Sequence, residues 1–181
     1  MKLGKLLVLV GGIGAVVVAA SATPAFASAS SSTAGQAATH LLTFDTMIGN
    51  SAPFIGTAGR MRGIDAAPLP WTVESVRGEL NANGRLDIDV DGLVLADDPS
   101  VPASLRGTNP VPFFAGVVSC LTSGSGGVVR RNLITANFPA SMPGGVAHIH
   151  QVVNLPHPCV APVVFVTSPG PTGFVWFAVT G

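Results

Sequence analysis

Two histidines one residue apart, His148 and His150, form the pair whose spacing most directly suggests metal chemistry. Residues i and i+2 of a β-strand project from the same face, so both imidazoles could ligate one ion. His157 is close enough in sequence to be a third ligand. The opposite parity, with Ala147 and Ile149, is the more apolar one and is expected to face the core. The sequence therefore favours an exposed pair without bound metal or other cofactor, and a metal site is the alternative.

Alternating carboxylates at Asp87, Asp89 and Asp91 are the second candidate for chemistry. Residues 87–98 match a calcium-loop pattern, with acids at positions 1, 3, 5 and 12 and Gly at position 6. Such a loop follows a helix, whereas residues 81–84, Asn-Ala-Asn-Gly, favour a tight turn. In an extended strand Asp87 and Asp91 lie about 13 Å apart and cannot share one ion. We expect a strand with solvated acids. Two alternatives are left open: a calcium site at Asp91, Asp97 and Asp98, and an EF-hand-like loop over residues 87–98.

A serine nucleophile is only weakly indicated. Residues 123–127 resemble the Gly-x-Ser-x-Gly elbow of hydrolases, but their first residue is Ser where that pattern requires Gly. No strand-to-helix turn is expected there either. No catalytic residue is therefore predicted.

The elements that must position these residues are short apolar runs broken by Gly, Pro and Asn, a spacing typical of all-β folds. Leu86, Ile88 and Val90 alternate with the three acids, which predicts one buried and one solvated face. A bulge at Gly92 would explain why Leu93 and Leu95 then take the apolar register. The predicted hairpins pair residues 71–80 with 85–90, 117–122 with 128–134, and 163–167 with 174–180. The fold class is all-β, an antiparallel β-sandwich in one domain over residues 40–181, with a barrel as the alternative.

The N-terminus indicates export. Lys2 and Lys5 precede an uncharged apolar run at residues 6–20, and Ala25-Phe26-Ala27 supplies a small-x-small cleavage site. The apolar run is short for a permanent membrane anchor. We expect a signal peptide over residues 1–27, cleavage between Ala27 and Ser28, a flexible lead-in over residues 28–39, and a secreted protein.

Cys120 and Cys159 are the only cysteines. In an exported protein a disulfide is their default state, whereas a redox pair is usually spaced Cys-x-x-Cys. One disulfide is therefore predicted, and closing a loop of this length would stabilise the fold by about 4 kcal/mol.

The charge of the mature chain excludes two classes of partner. Cleavage removes both lysines and leaves seven Arg against nine Asp and Glu, a formal charge of −2 with His neutral. Such a chain has no basic footprint for nucleic acid or anionic lipid, so neither nucleic acid nor, after signal removal, a membrane is expected as partner. A weakly charged surface is compatible with a cell-envelope or extracellular polymer as partner.

Several segments resemble a family of uncharacterised secreted bacterial proteins. They are Leu69-Pro70-Trp71, Gly78-Glu79-Leu80, Asp91-Gly92-Leu93-Val94, Gly107-Thr108-Asn109-Pro110-Val111, Val118-Ser119-Cys120 and, near the C-terminus, Leu155-Pro156, Pro158-Cys159, Phe165-Val166-Thr167-Ser168-Pro169 and Trp176-Phe177-Ala178. The resemblance implies export and a compact fold, and it transfers no catalytic residue. Separately, Ala147-His148-Ile149-His150 is similar to a signature of the chordin-type extracellular β domain.

Together these patterns predict a secreted, non-catalytic β-sandwich module that binds a ligand or serves a structural role outside the cell. The alternative is a secreted metal-dependent oxidoreductase or hydrolase that uses His148 and His150.

Overall fold

The computed structural model describes residues 39–170 and 173–181, which form thirteen β-strands, one 3-10 turn at Gly56–Gly59 and no α-helix. The strands are β1 His40–Phe44, β2 Ile48–Gly49, β3 Asp65–Ala66, β4 Trp71–Thr72, β5 Ser75–Asn81, β6 Arg85–Asp91, β7 Val94–Leu95, β8 Phe113–Gly124, β9 Gly127–Ile134, β10 Phe138–Pro139, β11 Ala147–Val152, β12 Val160–Gly170 and β13 Gly173–Val179. The predicted signal peptide, its cleavage site at Ala27 and Ser28, and residues 28–38 of the lead-in lie outside the described residues.

Two antiparallel sheets make up the molecule's main layers. The smaller sheet has the order β1-β5-β6-β11, and the larger has the order β10-β8-β12-β13-β2. Strand β9 also pairs with β8, and β3 makes a short parallel pair with β13. The sheets do not close into a barrel, so the predicted antiparallel β-sandwich is confirmed.

The core lies between the facing sides of the two sheets. On β6, Leu86, Ile88 and Val90 are at most 2% exposed, whereas the acids between them are exposed or half-buried. These apolar side chains pack toward β8, so closely that a Cβ added at Gly116 would lie 2.9 Å from Leu86 Cδ2. The period-2 alternation therefore places the acids outside the sandwich, as predicted.

Aromatic side chains fill one part of this core. Trp71 stacks on Phe177 with ring centroids 4.1 Å apart, and Phe114 meets both rings edge-on. Stacked and edge-to-face contacts are the favoured arrangements of aromatic quadrupoles. They tie the short strand β4 to the inner face of the larger sheet.

The prediction of a bulge at Gly92 is wrong in detail. Gly92 has a φ of +66°, and β6 ends at Asp91 instead of continuing past a bulge. The chain leaves the sheet there, and β7 pairs with β4 in a separate two-stranded sheet. Leu93 and Leu95 are buried as expected. The left-handed backbone that glycine allows thus redirects the chain to a new partner.

The predicted strand boundaries also change. The run 71–80 is divided into β4 and β5, while β8 and β12 extend the predicted strands at 117–122 and 163–167 in both directions. The hairpins β5–β6, β8–β9 and β12–β13 are present as predicted.

The disulfide Cys120–Cys159 is confirmed. The two Cα atoms lie 5.0 Å apart, and the bond links β8 to the segment just before β12. Cys120 is fully buried in the core. In the described ranges, no helix has the length and apolar character needed to cross a membrane.

Residues 51–66 form an additional layer on the outer side of the larger sheet. Ile64 and Ala66 pack against Phe165 and Trp176 in a second, smaller apolar cluster. The indole Nε1 of Trp176 donates a hydrogen bond to the Gly59 carbonyl oxygen at 3.0 Å. This layer therefore covers part of the larger sheet and leaves β9 beside it.

Candidate functional site

The outer side of the smaller sheet carries two rows of polar side chains that run across three strands. In the first row Arg77 on β5, Asp89 on β6 and His148 on β11 lie opposite one another. In the second row the equivalent positions are Glu79, Asp87 and His150. We call this surface, together with Arg85 and Asp91, the charged face.

Asp89 is the centre of the first row. One of its oxygens, Oδ1, accepts a hydrogen bond from His148 Nδ1 at 2.7 Å. The other, Oδ2, lies 3.6 Å from Arg77 Nε. All three side chains are more than half exposed, so water screens these contacts. The row is a solvated ion-pair ladder, and each contact adds little stability.

The second row is organised by Asp87. Arg85, two residues away on the same strand face, donates from Nε to Asp87 Oδ2 at 2.6 Å. This hydrogen bond raises the pKa of the Arg85 guanidinium above its ordinary value. The ring of His150 lies 5.1 Å from that of Phe138. In total the charged face contains four carboxylates and two guanidinium groups. With neutral imidazoles its formal charge is −2.

The histidine pair is exposed, as the parity of the strand predicted. On β11, Ala147 and Ile149 point into the core, while His148 and His150 face solvent. His157 does not join them. It lines a small crevice with Ala82 beside the β5–β6 turn, at least about 13 Å along β6 from Asp89. Within residues 39–170 and 173–181, no group of three His, Cys, Asp or Glu side chains is arranged to hold a metal ion.

The calcium-loop alternative fails because the segment is a strand. Asp87, Asp89 and Asp91 belong to β6, whose backbone pairs with β5 and β11 on its two sides. The later acids have other partners. Asp97 Oδ1 lies 3.5 Å from Arg106 Nη1, and Asp98 accepts hydrogen bonds from Ser100.

The charged face has the histidine–carboxylate pair of a hydrolase triad without a placed nucleophile. The hydrogen bond to Asp89 holds His148 with Nδ1 protonated and leaves Nε2 toward solvent, as in a general base. Ser75 lines the same hollow, an open depression of about 380 Å³. It stands on β5, two strands from His148, hence about 10 Å across the sheet. Proton transfer from a hydroxyl needs about 3 Å, so the arrangement does not activate Ser75.

Arg77 and Glu79 were missed as members of these rows. Their positions could have been found from the turn at residues 82–84, because a hairpin closed there places Arg77 opposite Asp89 and Glu79 opposite Asp87. The attachment of β11 to the other side of β6 joins residues about sixty positions apart and leaves no such local signal.

Compared with known proteins, the chain matches no family model, no curated protein and no solved structure. The resemblance to uncharacterised secreted bacterial proteins therefore stays a prediction.

Proposed function

We propose that the mature protein is a secreted, non-catalytic module that binds a partner or serves a structural role outside the cell. The observation that carries this proposal is that the polar side chains of the charged face are exposed and already paired with one another. His148, Asp89 and Arg77 form an exposed ladder on an open sheet surface, and their hydrogen-bonding groups pair with one another. Enzyme sites instead converge a few polar groups in a concave, water-excluding pocket.

The disulfide supports the exported part of the proposal. Disulfides persist in oxidising compartments outside the cytosol. Cys120–Cys159 joins β8 to the segment just before its neighbouring strand β12, so it stiffens the larger sheet. A rigid scaffold lowers the ordering cost of binding.

The aromatic residues bear on what the partner is. A cell-envelope or extracellular polymer remains a candidate, but sugar rings are commonly held on exposed aromatic faces. The sequence contains no Tyr, and Trp71 and Trp176 are 5% and 4% exposed. Any stacking platform among the described residues would have to use Phe. This distribution favours a partner recognised through backbone and charged groups.

The test is a binding measurement with the whole mature protein. Fluorescently labelled protein starting at Ser28 is sedimented with envelope material from the cells that secrete it, before and after the material is treated with protease. We expect saturable binding by the oxidised, folded protein and none by the reduced, denatured protein. Binding that does not saturate, or that does not depend on folding, would contradict the proposal.

The second candidate function is the metal-dependent one. What favours it is that His148 and His150 project from one strand face with Asp89 and Asp87 opposite them. Elemental analysis of protein purified without a His tag separates the two functions. Stoichiometric transition metal that is lost in the double variant His148→Ala, His150→Ala would support the metal-dependent function and overturn the non-catalytic one.

A further inference from the structure

Strand β9, Gly127–Ile134, is an edge strand with an unusual degree of exposure. It pairs with β8 along one side, and no described residue pairs with its backbone on the other side. Six of its eight residues are exposed, and Val128 is 76% exposed. Natural proteins usually protect such edges with Pro, inward-pointing charges or a covering segment. Strand β9 contains no Pro, and no described strand covers its open side. Its charges, Arg130 and Arg131, oppose pairing with a strand of like charge and leave the backbone able to accept an acidic one.

The surroundings of β9 are basic. In the described ranges, Arg60, Arg77, Arg85 and Arg106 each have an Asp partner. For the remaining three, no carboxylate in those ranges lies within 4 Å. These three are Arg62, Arg130 and Arg131. The sequence after Asp98 contains no Asp or Glu at all. The unpaired positive charge is thus concentrated on one strand and the segment next to it.

The three arginines lie on β9 or in the segment beside it. Arg130 and Arg131 are consecutive strand residues, so their side chains leave opposite faces. The Arg130 guanidinium lies against the backbone of Gly63, next to Arg62. Arg62 is held by hydrogen bonds from its Nη2 to the Ala161 carbonyl oxygen at 3.1 Å and from Asn132 Nδ2 to its own carbonyl oxygen at 2.9 Å. The Arg62 guanidinium therefore extends across β8 toward β12, away from the open edge, whereas Arg130 and Arg131 project from the two faces of β9 itself.

We propose that the open edge of β9 binds an extended acidic segment of a partner protein as an added strand, an inference that rests on the proposed binding function. Backbone groups of β9 hydrogen-bond to the segment, as in other strand-addition complexes. Alternate side chains of the segment point to opposite faces, so its carboxylates reach Arg130 on one face and Arg131 on the other. Guanidinium groups favour carboxylates because they offer paired donors.

A second copy of this chain fits the edge less well. Pairing β9 with β9 of another molecule brings the Arg130–Arg131 segments together, and like charges opposite one another destabilise a sheet. The acidic strand β6 has both edges occupied by β5 and β11 and cannot be added. Residues 28–39 of the same chain contain no Asp or Glu. The positive charge at the β9 edge therefore favours an acidic segment of a different protein.

The direct test uses synthetic ten-residue peptides that alternate pairs of Thr with pairs of Glu, or pairs of Thr with pairs of Lys, so that both faces of the extended peptide carry charge. Each peptide is titrated into the oxidised mature protein. We expect the Glu peptide to bind at least tenfold more tightly than the Lys peptide. Hydrogen exchange should show new protection of β9 amides. Equal binding of both peptides, or protection confined to another strand, overturns the proposal.

Two further comparisons separate strand addition from simple charge attraction. An added strand uses the backbone N–H groups of every second residue, and a free peptide can turn either edge toward β9. N-methylation of every residue should therefore abolish binding, while N-methylation of every second residue leaves one edge intact and preserves it. If the fully methylated peptide binds, strand addition is wrong. Polyphosphate that binds as tightly and gives no β9 protection also overturns it, because the site is then a general anion surface.

Matched variants locate the site. The double variant Arg130→Gln, Arg131→Gln should lose at least tenfold in affinity for the Glu peptide, whereas Arg106→Gln, which removes an arginine paired with Asp97, should change it less than twofold. Equal effects overturn the proposal, and so does self-association of the free protein through β9 in sedimentation. If the peptide tests fail while labelled protein still binds envelope material saturably, only this inference fails. If saturable envelope binding is absent, the proposed function itself fails.

Discussion

Removing the disulfide should destabilise the domain by about 4 kcal/mol. The bond closes a loop with a sequence separation of 39 residues between Cys120 and Cys159, and in the chain-entropy model a loop of about this length corresponds to roughly 4 kcal/mol at 25 °C. The total stability of a typical domain is about 5–15 kcal/mol. With a urea m-value of about 2 kcal/mol per molar, the loss should lower the unfolding midpoint by about 2 M.

Equilibrium urea unfolding of the oxidised and the reduced protein measures this loss. Trp71 and Trp176 are buried in different apolar clusters, so their combined fluorescence reports on both sides of the larger sheet. The reduced protein keeps both sulfur atoms in place, whereas the variant Cys120→Ala, Cys159→Ala also removes the sulfur of Cys120 from the core. A further loss in the variant therefore measures packing. If reduction changes the free energy of unfolding by less than about 1 kcal/mol, the chain-entropy reasoning does not apply to this loop.

Three other outcomes follow from individual contacts. Gly84→Ala should cost about 1–3 kcal/mol more than Gly107→Ala in urea unfolding, because both glycines have a positive φ but only at Gly84 would the new Cβ collide with the Val153 carbonyl oxygen. Comparable losses would contradict the steric argument. The double variant His148→Ala, His150→Ala should change stability by at most about 0.5 kcal/mol in thermal unfolding, since both side chains are exposed; a loss of several kcal/mol would show that the pair is structural. Hydrogen bonds from the Ser100 hydroxyl and amide hold the pKa of Asp98 below its ordinary value of 3.8, so their stabilisation is present above that pH and is lost as the pH falls through the folded-state pKa. Ser100→Ala should move the pKa of Asp98 upward in an NMR titration, and an unchanged pKa would exclude the hydroxyl as its main cause.

The local features of the fold were predictable from particular residues. The alternation of Leu86, Ile88 and Val90 with aspartates determines which side of β6 is buried, because a strand has a side-chain period of two. The same period of two correctly predicted that His148 and His150 are exposed. The turn at residues 82–84 is closed by Gly84 at a φ of +86°, which sets the register of β5 against β6. With only two cysteines, the disulfide had a single possible pairing.

The non-local pairings were decided only by the tertiary structure. The sequence by itself determined that this is an all-β chain with a solvated acidic strand, an exposed histidine pair and one disulfide. It did not determine that β11 lies beside β6, which brings His148 to Asp89, or that β7 leaves the sheet to pair with β4. It also did not show that β9 lies at the edge of the larger sheet with Gly63 against Arg130. The physical reason is that side-chain periodicity is a property of a few neighbouring residues. Which strand pairs with which depends instead on how the whole chain buries its apolar faces and on the entropy lost in closing the loops between them.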